Sequence, residues 1–391
     1  MKKVLFYLFV VSFSFSLLSC GSSDTNTDIR EKVYYEGDMG YTYYDADKQK
    51  KREVFAVKKE GDNYLKEGKY EIYYENGNLW QSVYYKNDKL HGEGLIYDEN
   101  GNLEQKVHYE NGKRQGISEV YYPSGSIYQK VQFKDDVMDG IMKVYYEGGS
   151  LMEEVIFVDG QRDSISTGYF EHGDLMFKMS YKNNLKHGPC EVYFPNGKIK
   201  ERSKYVKGQL EGKFISYYKE FEDGAILNEC TYEDGKIEGK FIGYHPDGSK
   251  SLITTYKNGK MHGAYESFYE GNGGTKEIGE IRNGAREGKW KAYYPSGKLQ
   301  VEVEYKNDQF NGESKAYYEQ TGTFKQVGQY NNNLANGHWI FYYENGNKKE
   351  EGEYKENKRI GKWKFYDKSG TLVKEVVPEE ELAASTSAEN N

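Results

Sequence analysis

Residues 73–78 have the sequence YYENGN, and residues 342–347 spell the same six letters again. An identical hexamer at two distant places in a chain of 391 residues indicates an internal repeat. A glycine recurs at 24-residue spacing in nine of twelve intervals, and the other three intervals are 27, 25 and 25 residues. These phase glycines are Gly68, Gly92, Gly116, Gly140, Gly188, Gly212, Gly239, Gly263, Gly288, Gly312, Gly337 and Gly361, with Ser164 in the one missing place.

Each repeat carries two aromatic columns separated by turn sequences. One column lies five residues after the phase glycine, and the other, aromatic except at Ile281, lies seven residues before the next one. Turns such as Asn76-Gly77 separate the columns, and a second turn such as Asn258-Gly259 precedes the next phase glycine. Asn-Gly pairs supply the positive φ angles of tight hairpins, and Tyr- and Val-rich runs favour strands. Each repeat is therefore predicted to be strand, turn, strand, turn.

Stacking such repeats predicts the fold class. An isolated hairpin is marginally stable in water, whereas hairpins in series pair with their neighbours and stabilise one another. A glycine about every twelve residues argues against helices. The sequence therefore predicts an all-β protein with an elongated, single, twisted antiparallel sheet of about twelve stacked β-hairpins, on the order of 115 Å long.

Two repeats also resemble a known family. Residues 288–299, GKWKAYYPSGKL, and residues 337–346, GHWIFYYENG, resemble MORN repeats in the bacterial variant of YwqK-like proteins, which are often labelled antitoxins. The resemblance covers roughly residues 68–376. It implies a hairpin array that serves as a scaffold, as a lipid or protein contact, or as an oligomerisation module, and it leaves open a homodimer.

The N-terminus has the features of an export signal. Lys2 and Lys3 precede an apolar run from Val4 to Leu18, which is shorter than a membrane span of about 20 residues. The run ends in Leu-Ser-Cys-Gly, which resembles a bacterial lipobox with Cys20 as the lipid-modified residue. An ordinary signal peptide with a chance cysteine is the alternative. Gly21, where an Asp would favour the inner membrane, points by analogy to an outer-membrane lipoprotein of the cell envelope.

These signals divide the chain into five segments. Residues 1–19 are predicted to be a lipoprotein signal peptide, 20–32 a lipid-anchored polar tether, and 33–67 a degenerate N-terminal capping repeat. Residues 68–376 are the repeat array, and 377–391 are predicted to be a disordered acidic tail.

The tyrosines of the first column are the candidate binding surface. Tyr combines apolar area with a hydroxyl, so a row of exposed rings would suit a peptide, a glycan or a partner protein. Packing and covering the sheet is the favoured main role of these rings, and binding is the alternative. The candidate residues are Tyr73, Tyr97, Tyr121, Tyr145, Tyr193, Tyr217, Tyr293, Tyr317 and Tyr342.

Other chemistry is not favoured. His91, His187 and His262 lie three or four repeats apart, about 28 Å or more, which is too far for one zinc ion. Cys190 and Cys230 are expected three strands apart, about 14 Å, beyond the reach of a disulfide. The pairs Glu153-Glu154 and Glu350-Glu351 are expected at solvent-facing strand positions without a cleft.

The composition and these spacings leave three functions. The net charge of −8 with mixed signs argues against nucleic acid, and no cofactor, metal site or catalytic motif is predicted. The favoured function is a non-catalytic envelope lipoprotein that acts as a repeat scaffold for a protein partner. The alternatives are an antitoxin or immunity-type protein that neutralises a toxin, and a glycan or cell-wall binder that uses the Tyr columns.

Overall fold

The computed structural model describes residues 32–221 and 224–378. All their regular elements are β-strands, and the chain divides into two compact units, residues 1–114 and 115–391. Within each unit, every strand pair is antiparallel and joins strands that are adjacent or next but one along the chain. The predicted all-β fold of stacked antiparallel hairpins is therefore confirmed. The signal peptide, Cys20, most of the tether and residues 379–391 lie outside the described residues.

The first unit contains the strands of the N-terminal repeats. They are β1 (Tyr34–Glu36), β2 (Met39–Tyr43), β3 (Lys51–Glu60), β4 (Asn63–Tyr73), β5 (Leu79–Lys86), β6 (Lys89–Leu90), β7 (Gly92–Tyr97), β8 (Leu103–Glu110) and β9 (Lys113–Arg114). Strands β2 and β3 form a hairpin over residues 39–60, where the sequence predicts a degenerate repeat.

The second unit continues the same pattern. Its first strands are β10 (Gly116–Tyr121), β11 (Ile127–Lys134), β12 (Val137–Tyr145), β13 (Leu151–Val158), β14 (Gln161–Arg162), β15 (Ser164–Tyr169), β16 (Leu175–Lys182), β17 (Leu185–Tyr193), β18 (Ile199–Val206), β19 (Gln209–Leu210), β20 (Gly212–Tyr217) and β21 (Ile226–Glu233). Its later strands are β22 (Lys236–Tyr244), β23 (Lys250–Lys257), β24 (Lys260–Phe268), β25 (Thr275–Arg282), β26 (Ala285–Tyr293), β27 (Leu299–Lys306), β28 (Gln309–Tyr317), β29 (Phe324–Asn331), β30 (Leu334–Tyr342), β31 (Lys348–Lys355), β32 (Lys358–Tyr366) and β33 (Leu372–Val376).

The first turn of each repeat differs from the predicted type. In the β4–β5 hairpin, the N–H of Gly77 donates to the carbonyl of Tyr74, and only Gly77 has positive φ, at 90°. Asn76 keeps ordinary backbone angles, and its Oδ1 accepts the N–H of Asn78 at 2.9 Å. The turn lies where the sequence places it, but Asn contributes a side-chain hydrogen bond rather than a positive φ.

The second turn and the phase glycine follow the expected chemistry. Asn258 and Gly259 both have positive φ, 53° and 77°, as a two-residue hairpin turn requires. The twelve phase glycines have φ between 60° and 123°. Ser164 adopts 85° at the same place, so the backbone of the repeat imposes this conformation even on a residue with a side chain.

Strand alternation gives the sheet of each unit two faces. The residue two positions after the phase glycine and its cross-strand partner, such as Trp290 and Val303, lie on what we call the core face. The residues one and three positions after it, such as Lys289 and Lys291, lie on the outer face together with their partners.

The core face of the second unit is filled by aliphatic side chains in one stretch and by tryptophans in another. Around residues 131–157, aliphatic side chains of Val131, Met142 and Val155 form a buried cluster. Further along, Trp290, Trp339 and Trp363 are buried, and each indole covers a glycine of the preceding strand, where a Cβ would overlap the ring. These glycines are Gly279, Gly328 and Gly352. The space for each indole is therefore provided by a neighbouring glycine, which has no side chain.

Candidate interaction surface

The candidate tyrosines lie on the outer face, and all nine are half-buried. Hydroxyl groups of several column members donate to outer-face glutamates. Tyr73 donates to Glu71 at 2.9 Å, Tyr193 to Glu191 at 2.8 Å, and Tyr317 to Glu302 at 3.1 Å. These hydroxyls are therefore engaged with outer-face glutamates. The ring edges are the part of each such tyrosine that is left for contact with another molecule.

Burial and the neighbouring glutamates also raise the pKa of these hydroxyls. Burial and the hydrogen bond to Glu71 raise the pKa of Tyr73 to about 12. Burial and Glu302 raise the pKa of Tyr317 in the same way, to about 12. Both phenols are neutral hydrogen-bond donors at ordinary pH, so they show no sign of an activated nucleophile or base.

A second tyrosine column, next to the first in the YY doublets, was missed by the sequence analysis as a functional set. In eight repeats this residue donates its hydroxyl to the main-chain carbonyl of the first-column residue of the next repeat. The donors are Tyr74, Tyr122, Tyr146, Tyr218, Tyr269, Tyr294, Tyr318 and Tyr343. His245 replaces one of them, and its Nε2 lies 3.1 Å from the carbonyl oxygen of Phe268.

This column is therefore a row of struts between repeats. Tyr44 in the N-terminal hairpin makes the same bond to the carbonyl of Tyr73, at 2.7 Å. The doublet itself was the available signal, because its first residue ends a strand and its second lies just beyond it, as Tyr73 and Tyr74 do, so the two need not share one role.

Opposite charges face each other across the outer face. Lys130 lies 2.8 Å from Glu119, Lys143 lies 3.1 Å from Glu154, and Lys291 lies 3.0 Å from Glu302. Pairs of this exposure contribute little to stability because solvent screens them. They also neutralise the surface locally, so this face offers no concentrated field for a charged ligand.

One region of the outer face is apolar instead. Ile117, Ile141 and Ile165 occupy the position after the phase glycine, or after Ser164, in three successive repeats. Their side chains are 59%, 45% and 51% exposed. Together with neighbouring outer-face residues they form what we call the apolar patch: Ile117, Val137, Ile141, Ile156, Val158, Ile165, Leu185 and Pro189.

The same position is polar in the following repeats. Its occupants, after one alanine at 264 is set aside, are Lys213, Lys240, Lys289, Glu313, His338 and Lys362. The apolar patch is therefore a departure from the repeat pattern and not a requirement of the fold. Contiguous exposed apolar side chains of this kind mark an interaction surface.

Two of the three histidines before the phase glycines serve the turns, whereas the Nδ1 of His91 is buried without a hydrogen-bond partner among the described residues. His187 Nδ1 lies 3.4 Å from the N–H of Lys207, and His262 Nδ1 lies 3.4 Å from the N–H of Asn283. Glutamates at the same position do the same, since Glu238 accepts the N–H of Asn258 at 2.6 Å. Residues at this position therefore cap the second turn of the neighbouring hairpin.

Cys190 and Cys230, the two cysteines within the described residues, are buried and free. Cys190 pairs with Ser203, and Cys230 pairs with Phe214, which places three strand steps between them as the sequence predicts. Burial raises the pKa of the Cys230 thiol to about 11. A thiol of this kind is protonated at ordinary pH and is unsuited to nucleophilic chemistry.

The expectation of solvent-facing glutamate pairs is wrong. Glu153 is buried on the core face, 3.7 Å from Arg162, whereas Glu154 lies on the outer face. Glu350 and Glu351 are also largely covered, at 3.0 Å from Arg359 and 2.8 Å from Lys348. Adjacent strand residues must point to opposite sides, so one member of each pair necessarily leaves the face of the other.

No group of three or more His, Cys, Asp or Glu side chains that could hold a metal ion occurs within residues 32–221 and 224–378. Over the same ranges, no helix is long and apolar enough to cross a membrane.

Eight segments of the chain match the family model described as MORN repeat variant. They are residues 66–87, 90–111, 114–135, 138–159, 186–207, 286–307, 335–356 and 359–377. The unmatched stretches contain Ser164 and the longer repeats, yet they have the same hairpins. No curated protein matches the chain.

Several solved structures of toxin complexes show a likeness. A crystal structure of TcdB2-TccC3 is 11% identical at a TM-score of 0.17, over 84% of this chain and 20% of that chain. A TcdB2-TccC3-Cdc42 complex is 10% identical at a TM-score of 0.14, over 87% and 26%. A Tc holotoxin pore from Photorhabdus luminescens is 11% identical at a TM-score of 0.15, over 87% and 26%. The chain spans about a fifth to a quarter of these proteins.

Proposed function

We propose that this chain, a MORN-repeat protein by its eight matched segments, is a non-catalytic scaffold that binds protein through its outer face. The observation that carries the proposal is the apolar patch. Three isoleucines in register across successive repeats expose about half of their surface, while the equivalent residues from Lys213 onward are polar apart from Ala264.

The energetics favour an interaction role for this patch. Exposed apolar surface gains on the order of 25 cal/mol per Å² when it leaves water. Lysines at these positions are compatible with the same hairpin, as residues 289 and 362 show. An exposed apolar surface that the hairpin does not require is expected to contact another molecule.

We further propose that the scaffold is anchored to the cell envelope through a lipid on Cys20, with the outer membrane favoured. The apolar run of residues 4–18 and the Leu-Ser-Cys-Gly sequence support the anchor. Replacing Cys20 by Ala should yield an unlipidated, soluble product, measured by fractionation of cells and by mass spectrometry. A variant that stays fully in the membrane fraction would contradict the anchor.

The scaffold proposal is tested by crosslinking in cells that produce the full-length chain. The wild-type chain, the double variant Ile141→Lys/Ile165→Lys and the control Ile278→Lys are isolated after crosslinking, and captured proteins are quantified by mass spectrometry. Ile278 is an exposed outer-face isoleucine away from the patch, so it controls for the added charge. A captured protein whose yield falls at least tenfold in the double variant alone supports the proposal.

Two results would contradict it. Equal capture by all three chains would show that the patch binds no protein. Recovery of glycan or peptidoglycan fragments without a protein would favour the alternative of a carbohydrate surface.

A further inference from the structure

We propose that Asn272 is a self-modifying residue, which converts to aspartate and isoaspartate in the folded protein far faster than the other Asn-Gly asparagines of the chain. The site is the turn between β24 and β25, and it is independent of the apolar patch. Ten asparagines precede a glycine: Asn76, Asn100, Asn111, Asn196, Asn258, Asn272, Asn283, Asn311, Asn336 and Asn345. The fold protects them unequally.

An Asn-Gly pair carries both reactants of this conversion. The main-chain nitrogen of the glycine attacks the side-chain carbonyl carbon (Cγ) of the asparagine, and the Cγ–Nδ2 bond breaks. The proton of the glycine N–H leaves with the departing ammonia. Water then opens the succinimide ring at either carbonyl, which gives aspartate or isoaspartate without any oxidant or reductant. Glycine favours the attack because it has no Cβ to block the approach.

The attacking nitrogen is held in most of these pairs. Seven of the glycines donate their N–H to a main-chain carbonyl at 2.8–3.0 Å: Gly77, Gly101, Gly112, Gly197, Gly259, Gly284 and Gly346. Gly312 and Gly337 lie inside strands, where they pair with Tyr330 and Tyr354. Attack by a bonded nitrogen must first break its hydrogen bond, which slows the reaction by about tenfold.

Gly273 is the exception. Its N–H has no acceptor in the part of the chain that the structure describes, and the residue is exposed. The cause is the extra residue of this 25-residue repeat, because Gly271 is inserted before Asn272 in a turn that otherwise reads Tyr-Glu-Asn-Gly. The N–H of Tyr269 still closes the turn on the carbonyl of Gly274, at 2.8 Å. The bond from the glycine N–H back to the tyrosine carbonyl is lost.

The side chain of Asn272 is also held close to its own main chain. Its Oδ1 accepts the N–H of Gly274 at 3.0 Å, and this bond polarises the carbonyl that is attacked. Asn345 accepts the N–H of Asn347 in the same way, at 3.1 Å. Asn345 is therefore a matched control within the chain, because it differs in the engaged N–H of the glycine that follows it.

The conversion would remove a contact between repeats. The Nδ2 of Asn272 donates to the carbonyl of Pro295, in the turn between β26 and β27, at 3.1 Å. A carboxylate can only accept, so it would face that carbonyl without a donor. It would also lie near Asp247, which accepts the N–H of Gly271 at 3.0 Å. Hydrogen exchange at this junction should therefore be faster in the aged chain than in the fresh chain, and equal exchange would overturn this consequence.

The first test is the rate of modification at each asparagine. The full-length chain is incubated in mildly alkaline buffer and digested at acidic pH, and mass spectrometry measures the mass gain of each peptide. Asn272 should be modified at least about tenfold faster than Asn345 in the folded chain. In concentrated urea the two rates should become similar, because the fold no longer holds either glycine. Equal rates at Asn272 and Asn345 in the folded chain would overturn the proposal.

The second test removes the inserted residue. Deletion of Gly271 restores the Tyr-Glu-Asn-Gly turn, so the rate at Asn272 should fall to that at Asn345. Deletion of Gln320, which shortens the turn of the other 25-residue repeat, is the matched control and should leave the rate unchanged. Circular dichroism shows whether both variants fold. A rate at Asn272 that does not respond to the loss of Gly271 would overturn the role of the insertion.

A point substitution tests the reacting atom itself. In Gly273→Ala the new Cβ has open space around it, so the turn accommodates the methyl group, which hinders attack by the neighbouring nitrogen. The rate at Asn272 should fall by about tenfold, while the rate at Asn345 stays the same. Equal rates in the variant and the wild-type chain would show that the nitrogen of Gly273 is not the nucleophile.

Discussion

The second compact unit contains two stretches that share one hairpin design and use its faces differently. In residues 117–189 the core face carries the largely aliphatic cluster of residues 131–157, and the outer face carries the apolar patch. In residues 289–364 the core face holds buried tryptophans and the outer face is charged. The positive φ of the phase position recurs in both stretches, even at Ser164, so this backbone feature belongs to the fold while the residues of both faces vary.

The largest difference between the two stretches is expected in the free energy of unfolding that a core-face substitution removes. Trp339→Ala should lower the free energy of unfolding by about 3–5 kcal/mol, since a buried indole leaves a cavity and its Nε1 loses the bond to the carbonyl of Gln329. Val131→Ala in the aliphatic stretch should cost about 1.5–2 kcal/mol, because it removes two methyl groups. Urea denaturation followed by circular dichroism measures both. An equal or larger loss for the Val131 variant would contradict the comparison.

The glycines beneath the tryptophans give the next largest effect. In Gly328→Ala the new methyl group would overlap the ring of Trp339, and we expect a loss of about 1–3 kcal/mol from the forced shift. Gly148→Ala is the matched control, because Gly148 lies in a turn with open space around its Cβ position. Thermal denaturation of both variants checks this. Similar melting temperatures would show that the indole does not need the glycine.

A substitution at Ser164 is expected to raise stability rather than lower it. Its φ of 85° is strained for a residue with a Cβ, so Ser164→Gly should raise stability by about 0.5–1 kcal/mol. Gly212→Ser places the same residue at an open phase position with φ of 80°, and it should lower stability by about 1 kcal/mol. Chemical denaturation should therefore shift the two midpoints in opposite directions, and a shift of both in the same direction would count against backbone strain.

The smallest expected effect is a local loss of stability at acidic pH. Burial alone would raise the pKa of Glu351, but hydrogen bonds from Lys348 and Tyr366 outweigh it and lower the pKa to about 2. The folded value lies below the ordinary value, so the contribution of Glu351 is complete above about pH 4.5 and is lost as the pH falls toward 2. Hydrogen exchange should therefore show that acid loosens β31 before β12 and β13. In the Glu351→Gln variant this added acid sensitivity of β31 should disappear. If the pH dependence of hydrogen exchange in β31 stays unchanged in the variant, Glu351 is not its cause.

The fold could be predicted from the sequence because its determinants are local. Asn258-Gly259 and the phase glycines act through backbone angles that only a few residue types adopt easily, and they recur in phase. The turn type at Asn76-Gly77 was mispredicted because Asn serves two geometries, and only its side-chain hydrogen bond distinguishes them.

The surface was harder to predict because it depends on which residues share a face. Ile117, Ile141 and Ile165 are 24 residues apart and would look like core positions in any one repeat. Their exposure becomes visible only when the register places them beside Lys130 and Glu154 on the outer face. The covered positions of Glu153 and Glu351 follow from the same register and from ion pairs that the sequence does not reveal.

The tyrosine struts also bear on how such an array changes its length in evolution. Each strut joins a hydroxyl of one repeat to a main-chain carbonyl of the next, as Tyr294 does with Tyr317 at 2.9 Å. A duplicated repeat that carries the second tyrosine thus brings its own donor and offers its own acceptor, because the acceptor is backbone and exists whatever residue stands there. The array can gain or lose whole copies by recombination without leaving an unmatched joint, while insertions within a repeat are absorbed in its turns.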